Sequence, residues 1–126
     1  MESTPAKIAR FVLGLALVIF GANKFGHFIP VPPHTEAADA LLGAMVQSGY
    51  LMDMVGAVEV ICGAALVSGF FVPLSLVILA PISINIVVFH LVLDPGGVVP
   101  ALLIGGLNLF LGITHLRSYQ DILMPR

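Results

Sequence analysis

The chain has few charged residues and only one cysteine. Charged side chains make up 10% of its 126 residues, whereas soluble domains carry about 25%. Five Lys and Arg against seven Asp and Glu provide no basic stripe for phosphates, which argues against a nucleic-acid partner. The single Cys62 excludes an internal disulfide and thiol-pair redox chemistry. Tryptophan is absent, so Tyr50 and Tyr119 are the available amphipathic anchors at a membrane interface.

Apolar residues dominate instead, at 59% of the chain, with a mean hydropathy of +1.09. Four apolar segments are each long enough for a membrane helix, which needs about 20 residues. They are residues 8–28, 50–71, 73–93 and 98–116. The second and third are nearly continuous, so the chain is expected to fold back near Ser68, Gly69 and Pro73. The sequence therefore predicts one all-α domain over residues 1–126, an integral membrane four-helix bundle.

The ends and the long connection add detail to this prediction. The first segment has the basic start of a signal peptide, but its apolar core continues past Gly21 without a small-residue cleavage site, so we expect it to be retained. Between the first two segments, Leu41, Leu42, Met45 and Val46 recur at helical spacing. This pattern predicts a short interfacial helix over about residues 36–48.

The few charges indicate an orientation. In a chain that crosses four times, the acidic residues gather on one side together with Lys24, and most cations gather on the other. The acidic group is Glu36, Asp39, Asp53 and Asp94, and the basic group is Lys7, Arg10, Arg117 and Arg126. Because cation-rich ends stay in the cytoplasm, we expect both termini there and the chain in a bacterial inner membrane.

Polar and small residues fall on helical stripes within the apolar segments. The second segment carries Gly56, Glu59 and Gly63 on one face. The first carries Arg10, Gly14, Leu17, Gly21 and Lys24, and the fourth carries Gly105, Asn108, Gly112 and His115. Such stripes are expected to face one another inside the bundle. In the third segment Asn85 shares a face with Pro81, and His90 is displaced from it by more than a quarter turn.

The ordered combination of these features resembles the DoxX-like family of small membrane proteins. It comprises a basic residue before the first helix, Gly14 with Gly21-Ala22-Asn23-Lys24-Phe25, Gly56-x-x-Glu59-x-x-x-Gly63-x-x-Leu66-x-x-Gly69, and His90 ending the third helix. The resemblance implies a four-helix bundle. Some relatives are linked to respiratory or antioxidant assemblies, including a quinone-reducing sulfur-oxidising complex, and distant animal relatives to receptor assembly. Most members have no established reaction.

The resemblance and the residues together give a candidate binding cluster. The family pattern carries over to Lys24, Glu59 and His90, and this sequence adds Asn85 and Asn108. One interpretation is a structural Lys24–Glu59 ion pair that fixes the packing register. The other is an outward-opening pocket for a quinone or lipid headgroup, with His90 and Lys24 as donors and Glu59 as proton acceptor.

Metal and haem sites are less favoured by the pattern. His27, His34 and His90 all fall at the outer side, but they lack an i,i+4 histidine pair or a cysteine cluster. His90 and His115 fall at opposite ends of their helices, so they do not clamp one haem. No metal ligand and no catalytic residue is predicted.

Three function classes remain open at this point. The favoured one is a membrane subunit or scaffold of a redox-related assembly, which binds redox partner proteins, forms homo-oligomers or does both, and is not catalytic alone. The second is a quinone-interacting oxidoreductase, which lacks an internal electron carrier in this sequence. The third is a small transporter or assembly chaperone, for which four helices are few.

Overall fold

A computed structural model describes residues 2–125 and contains six α-helices. They are α1 (Thr4–Gly26), α2 (Glu36–Gln47), α3 (Leu51–Ser68), α4 (Val72–Val92), α5 (Val98–Thr114) and α6 (Gln120–Leu123). Short 3₁₀ turns at Pro95–Gly97 and Leu116–Tyr119 flank α5. The predicted all-α fold is confirmed, and Arg126 of the basic group lies outside the described residues.

Four helices are long and apolar enough to span a membrane: α1, α3, α4, and α5 with its preceding turn. The predicted fold-back between the second and third segments lies at Gly69 and Phe71. Both residues have left-handed backbone conformations, with φ of 83° and 54°. Pro73 stands at the start of α4, where its missing N–H costs no helical hydrogen bond.

The predicted short helix between the first two spans is α2. The Thr35 side chain caps it by accepting from the Ala38 amide at 3.2 Å, and Gly49 ends the turn after it with φ of 85°. Its half-buried Leu42 and Met45 and its buried Ala38 turn toward the bundle. The corner between α2 and α3 therefore covers the end of α1.

The four spans form two close antiparallel pairs, α1 with α3 and α4 with α5. Contacts of α3 with α4 and of α1 with α5 complete the bundle, so α1 and α4 are diagonally opposite. Fully buried leucines from all four spans fill the centre: Leu13, Leu17, Leu66, Leu76, Leu79 and Leu111. Large apolar side chains cover the outside, as expected for helices that contact lipid.

Two glycine pairs set the distance between α1 and α3. A Cβ added at Gly14 would lie 2.8 Å from the Gly63 carbonyl oxygen, and one added at Gly21 would lie 2.8 Å from that of Gly56. Backbone therefore contacts backbone at two points, a helical heptad apart, as in other small-residue membrane interfaces. The prediction that the stripes of the first and second segments face each other is confirmed.

The stripe of the fourth segment behaves differently. It faces α4 and a groove of about 610 Å³ between α4 and α5, rather than the α1 and α3 stripes. A Cβ added at Gly112 would meet no atom of residues 2–125 within 4 Å, and one at Gly105 would meet only Val87. The expectation that all three stripes converge is wrong, because Gly105 makes room for the Val87 side chain of α4 and Gly112 borders the open groove, so neither brings the α5 backbone against α1 or α3.

Candidate functional site

The Lys24–Glu59 pair joins α1 to α3 in the half of the bundle where α1 ends and α3 begins. Lys24 Nζ lies 2.5 Å from Glu59 Oε1, with the Glu59 side chain 2% exposed and that of Lys24 25% exposed. Each residue follows a contact glycine by three positions, Lys24 after Gly21 and Glu59 after Gly56, which places glycine and charge on one face. The close backbone approach therefore brings the two charges together.

Apart from Lys24, few groups stabilise the charge of the buried Glu59 carboxylate. Oε1 is buried and has no hydrogen-bond partner of normal geometry among the described residues. The 2.5 Å contact with Lys24 is an ion pair by distance, while its angles fall outside those of a directed hydrogen bond. Lys24, which is partly exposed, connects this buried charge to the outer surface.

A small polar pocket of about 190 Å³ lies at that surface, where α1 ends and the α2–α3 corner covers it. The residues that line the pocket come from the end of α1, from α2, from the corner between α2 and α3, and from the start of α3: Lys24, His27, Met45, Val46, Gly49, Tyr50, Met52 and Asp53. An ammonium, an imidazole and a carboxylate share this space with two methionines. The pocket offers both hydrogen-bond donors and acceptors beside apolar walls.

His90 belongs to a different group of residues. His90 Nδ1 lies 3.1 Å from the Asp94 carbonyl oxygen and 3.6 Å from its carboxylate, and His34 Nδ1 lies 2.8 Å from Asp94 Oδ2. The Thr35 hydroxyl also donates to the Leu93 carbonyl. These contacts fasten the connection before α2 to the turn after α4, so the expectation that His90 donates into the pocket of Lys24 is wrong.

The outer histidines do not assemble into the metal site considered above. His27 lines the pocket beside Lys24, whereas His34 and His90 both contact Asp94. Within residues 2–125 no three His, Cys, Asp or Glu side chains are placed to hold a metal ion.

The two asparagines of the predicted cluster also separate. Asn108 is buried, accepts from the Ser83 hydroxyl at 2.8 Å and donates to the Leu76 carbonyl at 3.3 Å, so it joins α5 to α4. Asn85 is exposed on α4, on the same outward face as Pro81. Placing Asn85 in a buried cluster is therefore wrong. Lys24 and Glu59 are the two members that the structure brings together.

Arg10 has a role that the sequence pattern did not show. It is buried, donates to the Leu66 carbonyl at 2.5 Å and to the Val67 carbonyl at 3.3 Å, and pairs with Glu2 at 2.9 Å. A cation at the last carbonyls of α3 complements the negative end of the helix. The sequence shows that Arg10 shares a helix face with Gly14. Only the register of α1 against α3 shows that this face brings Arg10 to the end of α3.

A further contact fixes the N-terminal end of α4. The Tyr119 hydroxyl donates to the Pro73 carbonyl at 2.8 Å, and burial raises the pKa of Tyr119, so the hydroxyl keeps its proton as a donor. The turn after α5 is thereby held against the start of α4.

Comparison with known proteins identifies the family. A family model described as DoxX matches residues 6–91, which is more than half of the chain and covers α1 through almost all of α4. The matched part contains Lys24, Glu59 and every residue that lines the pocket, while α5 with Asn108 follows it. Searches of curated proteins and of solved structures give no match. The extent of the family match places this chain in the DoxX family.

Proposed function

We propose that this protein is a membrane subunit of a redox-related assembly and that its outer pocket holds the headgroup of a quinone-like molecule or a lipid. The observation that carries the proposal is the pocket beside Lys24, whose ammonium lies 2.5 Å from the buried Glu59 carboxylate. A buried charge connected to a surface pocket is an arrangement suited to binding a polar group and to exchanging a proton with it.

The charges of the pocket favour a neutral headgroup. The Lys24 ammonium can donate to a quinone carbonyl, and the Asp53 carboxylate can accept from the hydroxyl of the reduced form. The Glu59 carboxylate already balances Lys24, so Asp53 leaves an excess of negative charge around the pocket. Such a site disfavours a headgroup with net negative charge and accommodates a headgroup without net charge beside Met45 and Met52.

The composition supports a subunit rather than a complete enzyme. One cysteine provides no thiol pair to carry electrons. Electrons for a bound quinone would therefore come from a partner protein, in agreement with the redox assemblies that the family resemblance implies. Glu59 and Lys24 would supply binding and proton exchange.

A short-chain benzoquinone should raise the thermal midpoint of the purified protein. A ligand present at about 100 times its Kd stabilises the folded form by about 2.7 kcal/mol when it binds no unfolded chain. Met45→Trp should abolish this shift, because the larger side chain fills the pocket without changing Lys24 or Glu59. The measurement is the midpoint of each variant with and without quinone, followed by circular dichroism.

The matched control is Leu41→Trp, on the same helix but outside the pocket, which should keep the quinone-induced shift. A short-chain phosphatidylethanolamine tested in parallel distinguishes a lipid headgroup from a quinone. No shift with either probe would contradict the pocket. Quinone reduction by the isolated chain would contradict the assignment as a non-catalytic subunit.

We also propose that both termini lie in the cytoplasm and that the pocket opens outward. The cations Lys7, Arg10 and Arg117 lie toward one end of the bundle, and the acidic group of Glu36, Asp39, Asp53 and Asp94 lies toward the other. In a Cys62→Ala background, Glu36→Cys should react with an impermeant maleimide added to intact cells, and Ser118→Cys should react only after lysis. Labelling of Ser118→Cys in intact cells would reverse the orientation.

A further inference from the structure

The outward face of α4 carries an exposed heptad pattern. Its residues recur at alternating intervals of four and three and are all exposed: Leu74, Ile78, Pro81, Asn85, Val88 and Val92. We call this row of residues the α4 seam. Residues at such intervals keep one face of a helix against a partner helix over several turns. The neighbours of α4 inside the bundle are α3 and α5; the seam is exposed beside both, and at Val88 it borders the groove between α4 and α5.

Asn85 gives this seam a polar group that the bundle leaves unpaired. Its side chain makes no hydrogen bond with any residue from 2 to 125. It lies about 10 Å from the outer end of α4 at 1.5 Å per residue, which is well inside the apolar span. A side-chain amide that faces hydrocarbon without a partner is unfavourable, so its position needs an occupant that can both donate and accept.

Pro81 adds a second unpaired group to the same surface. Because proline has no N–H, the carbonyl of Val77, four residues earlier, loses its usual helical donor. Val77, Pro81 and Asn85 follow one another at intervals of four, and all three are exposed. The seam therefore presents hydrogen-bonding capacity at its centre and aliphatic side chains at both ends.

We infer that the α4 seam binds the same seam of a second copy, forming a parallel homodimer in which the two Asn85 amides hydrogen-bond to each other. Copies inserted with one orientation are related by a twofold axis along the membrane normal, which brings Asn85 to the same depth in both. An amide is self-complementary, since its oxygen accepts and its nitrogen donates. A single asparagine within an otherwise apolar heptad seam is also a known determinant of parallel dimers.

The groove between α4 and α5 gives the second copy further packing surface. Val88 of the seam and the adjacent Val77 border this groove, and its volume of about 610 Å³ accepts aliphatic side chains from the facing helix. This interface does not involve the pocket at Lys24, so the dimer and the proposed function stand or fall separately.

Cysteine cross-linking tests the interface directly. In a Cys62→Ala background, Asn85→Cys in native membranes should give a disulfide-linked homodimer on mild oxidation. Leu15→Cys is the control: its side chain is also exposed, but it lies on α1, which is diagonally opposite α4, so it should give no linked dimer. Equal cross-linking at both positions, or linkage of Asn85→Cys to a different polypeptide, would overturn the inference.

A reversible measurement tests the amide itself. Asn85→Leu should weaken dimerisation in mixed micelles roughly tenfold, the effect of two interhelical hydrogen bonds of the usual size. Asn85→Gln keeps both a donor and an acceptor and should retain most of the affinity. Energy transfer between labelled copies gives the dissociation constant, and an unchanged thermal midpoint shows that each variant is folded. A monomeric wild type, or an Asn85→Leu dimer as tight as wild type, would refute the seam.

Discussion

Lys24→Met should destabilise the folded protein by about 3–5 kcal/mol, the cost of removing one partner from a buried ion pair. The substitution leaves the Glu59 carboxylate without its counter-ion at a site where the side chain is 2% exposed. Glu59→Gln should cost less, because Lys24 is a quarter exposed and its long stem can carry the ammonium to the outer surface. The difference between the two single variants follows from their difference in burial.

The double variant distinguishes an interaction between the two charges from the separate effects of removing each charge. Lys24→Met combined with Glu59→Gln removes both charges, so its free energy of unfolding should fall by less than the sum of the single effects. The measurement is reversible unfolding in mixed detergent micelles, followed by circular dichroism because the chain has no tryptophan. Lys7→Met, at an exposed cation near the N-terminus, serves as control and should cost nothing measurable. Additivity within about 0.3 kcal/mol would contradict the pairing.

The second large expected effect is the loss of stability when a glycine at the α1–α3 contact is replaced by alanine. Gly63→Ala should destabilise the protein by about 1–3 kcal/mol, the usual cost of overpacking. Its Cβ would lie 2.7 Å from the Gly14 carbonyl oxygen and 2.9 Å from the Val18 amide nitrogen. Neither backbone atom can move unless α1 separates from α3, so the strain spreads along the whole contact.

Replacing a glycine of α5 by alanine should have the opposite effect on the free energy of unfolding. A Cβ at Gly112 would meet no atom of the described chain within 4 Å, and alanine is the better helix former by about 0.5–1 kcal/mol. Gly112→Ala should therefore stabilise the protein or leave its unfolding free energy unchanged. Equal losses for Gly63→Ala and Gly112→Ala, in the same micelle assay, would contradict the assigned α1–α3 contact.

The residues that sequence predicted correctly are those whose position depends on helical spacing. Gly56 and Glu59 share a face at any register, and Gly21 and Lys24 do so on the neighbouring span. Small residues mark the side on which two membrane helices approach, so these faces could be paired from sequence. Their contact is the part of the candidate site that the sequence predicted.

The predictions from sequence are wrong where they depend on the direction in which a helix face points within the bundle. Sequence predicts an interior position for Asn85 because polar groups in membrane helices usually avoid lipid, yet spacing alone does not say which side of α4 faces α5. His90 and Asp94 are four residues apart, so their contact was visible in the sequence once Asp94 was considered as more than a turn residue. The addition of His34 was not visible, since it depends on the path of the whole connection before α2.

The pairing of α1 with α3 also determines the order in which the protein can assemble during synthesis. Both spans precede α4 and α5 in the chain, and they carry both glycine pairs, the Lys24–Glu59 ion pair and the Arg10 contacts with the end of α3. The nascent chain can pair Lys24 with Glu59, and bring the Arg10 guanidinium to the carbonyls at the end of α3, as soon as α3 emerges. The α1–α3 hairpin can thus enter the bilayer with these two cations in contact with their partners, before α4 and α5 have been translated.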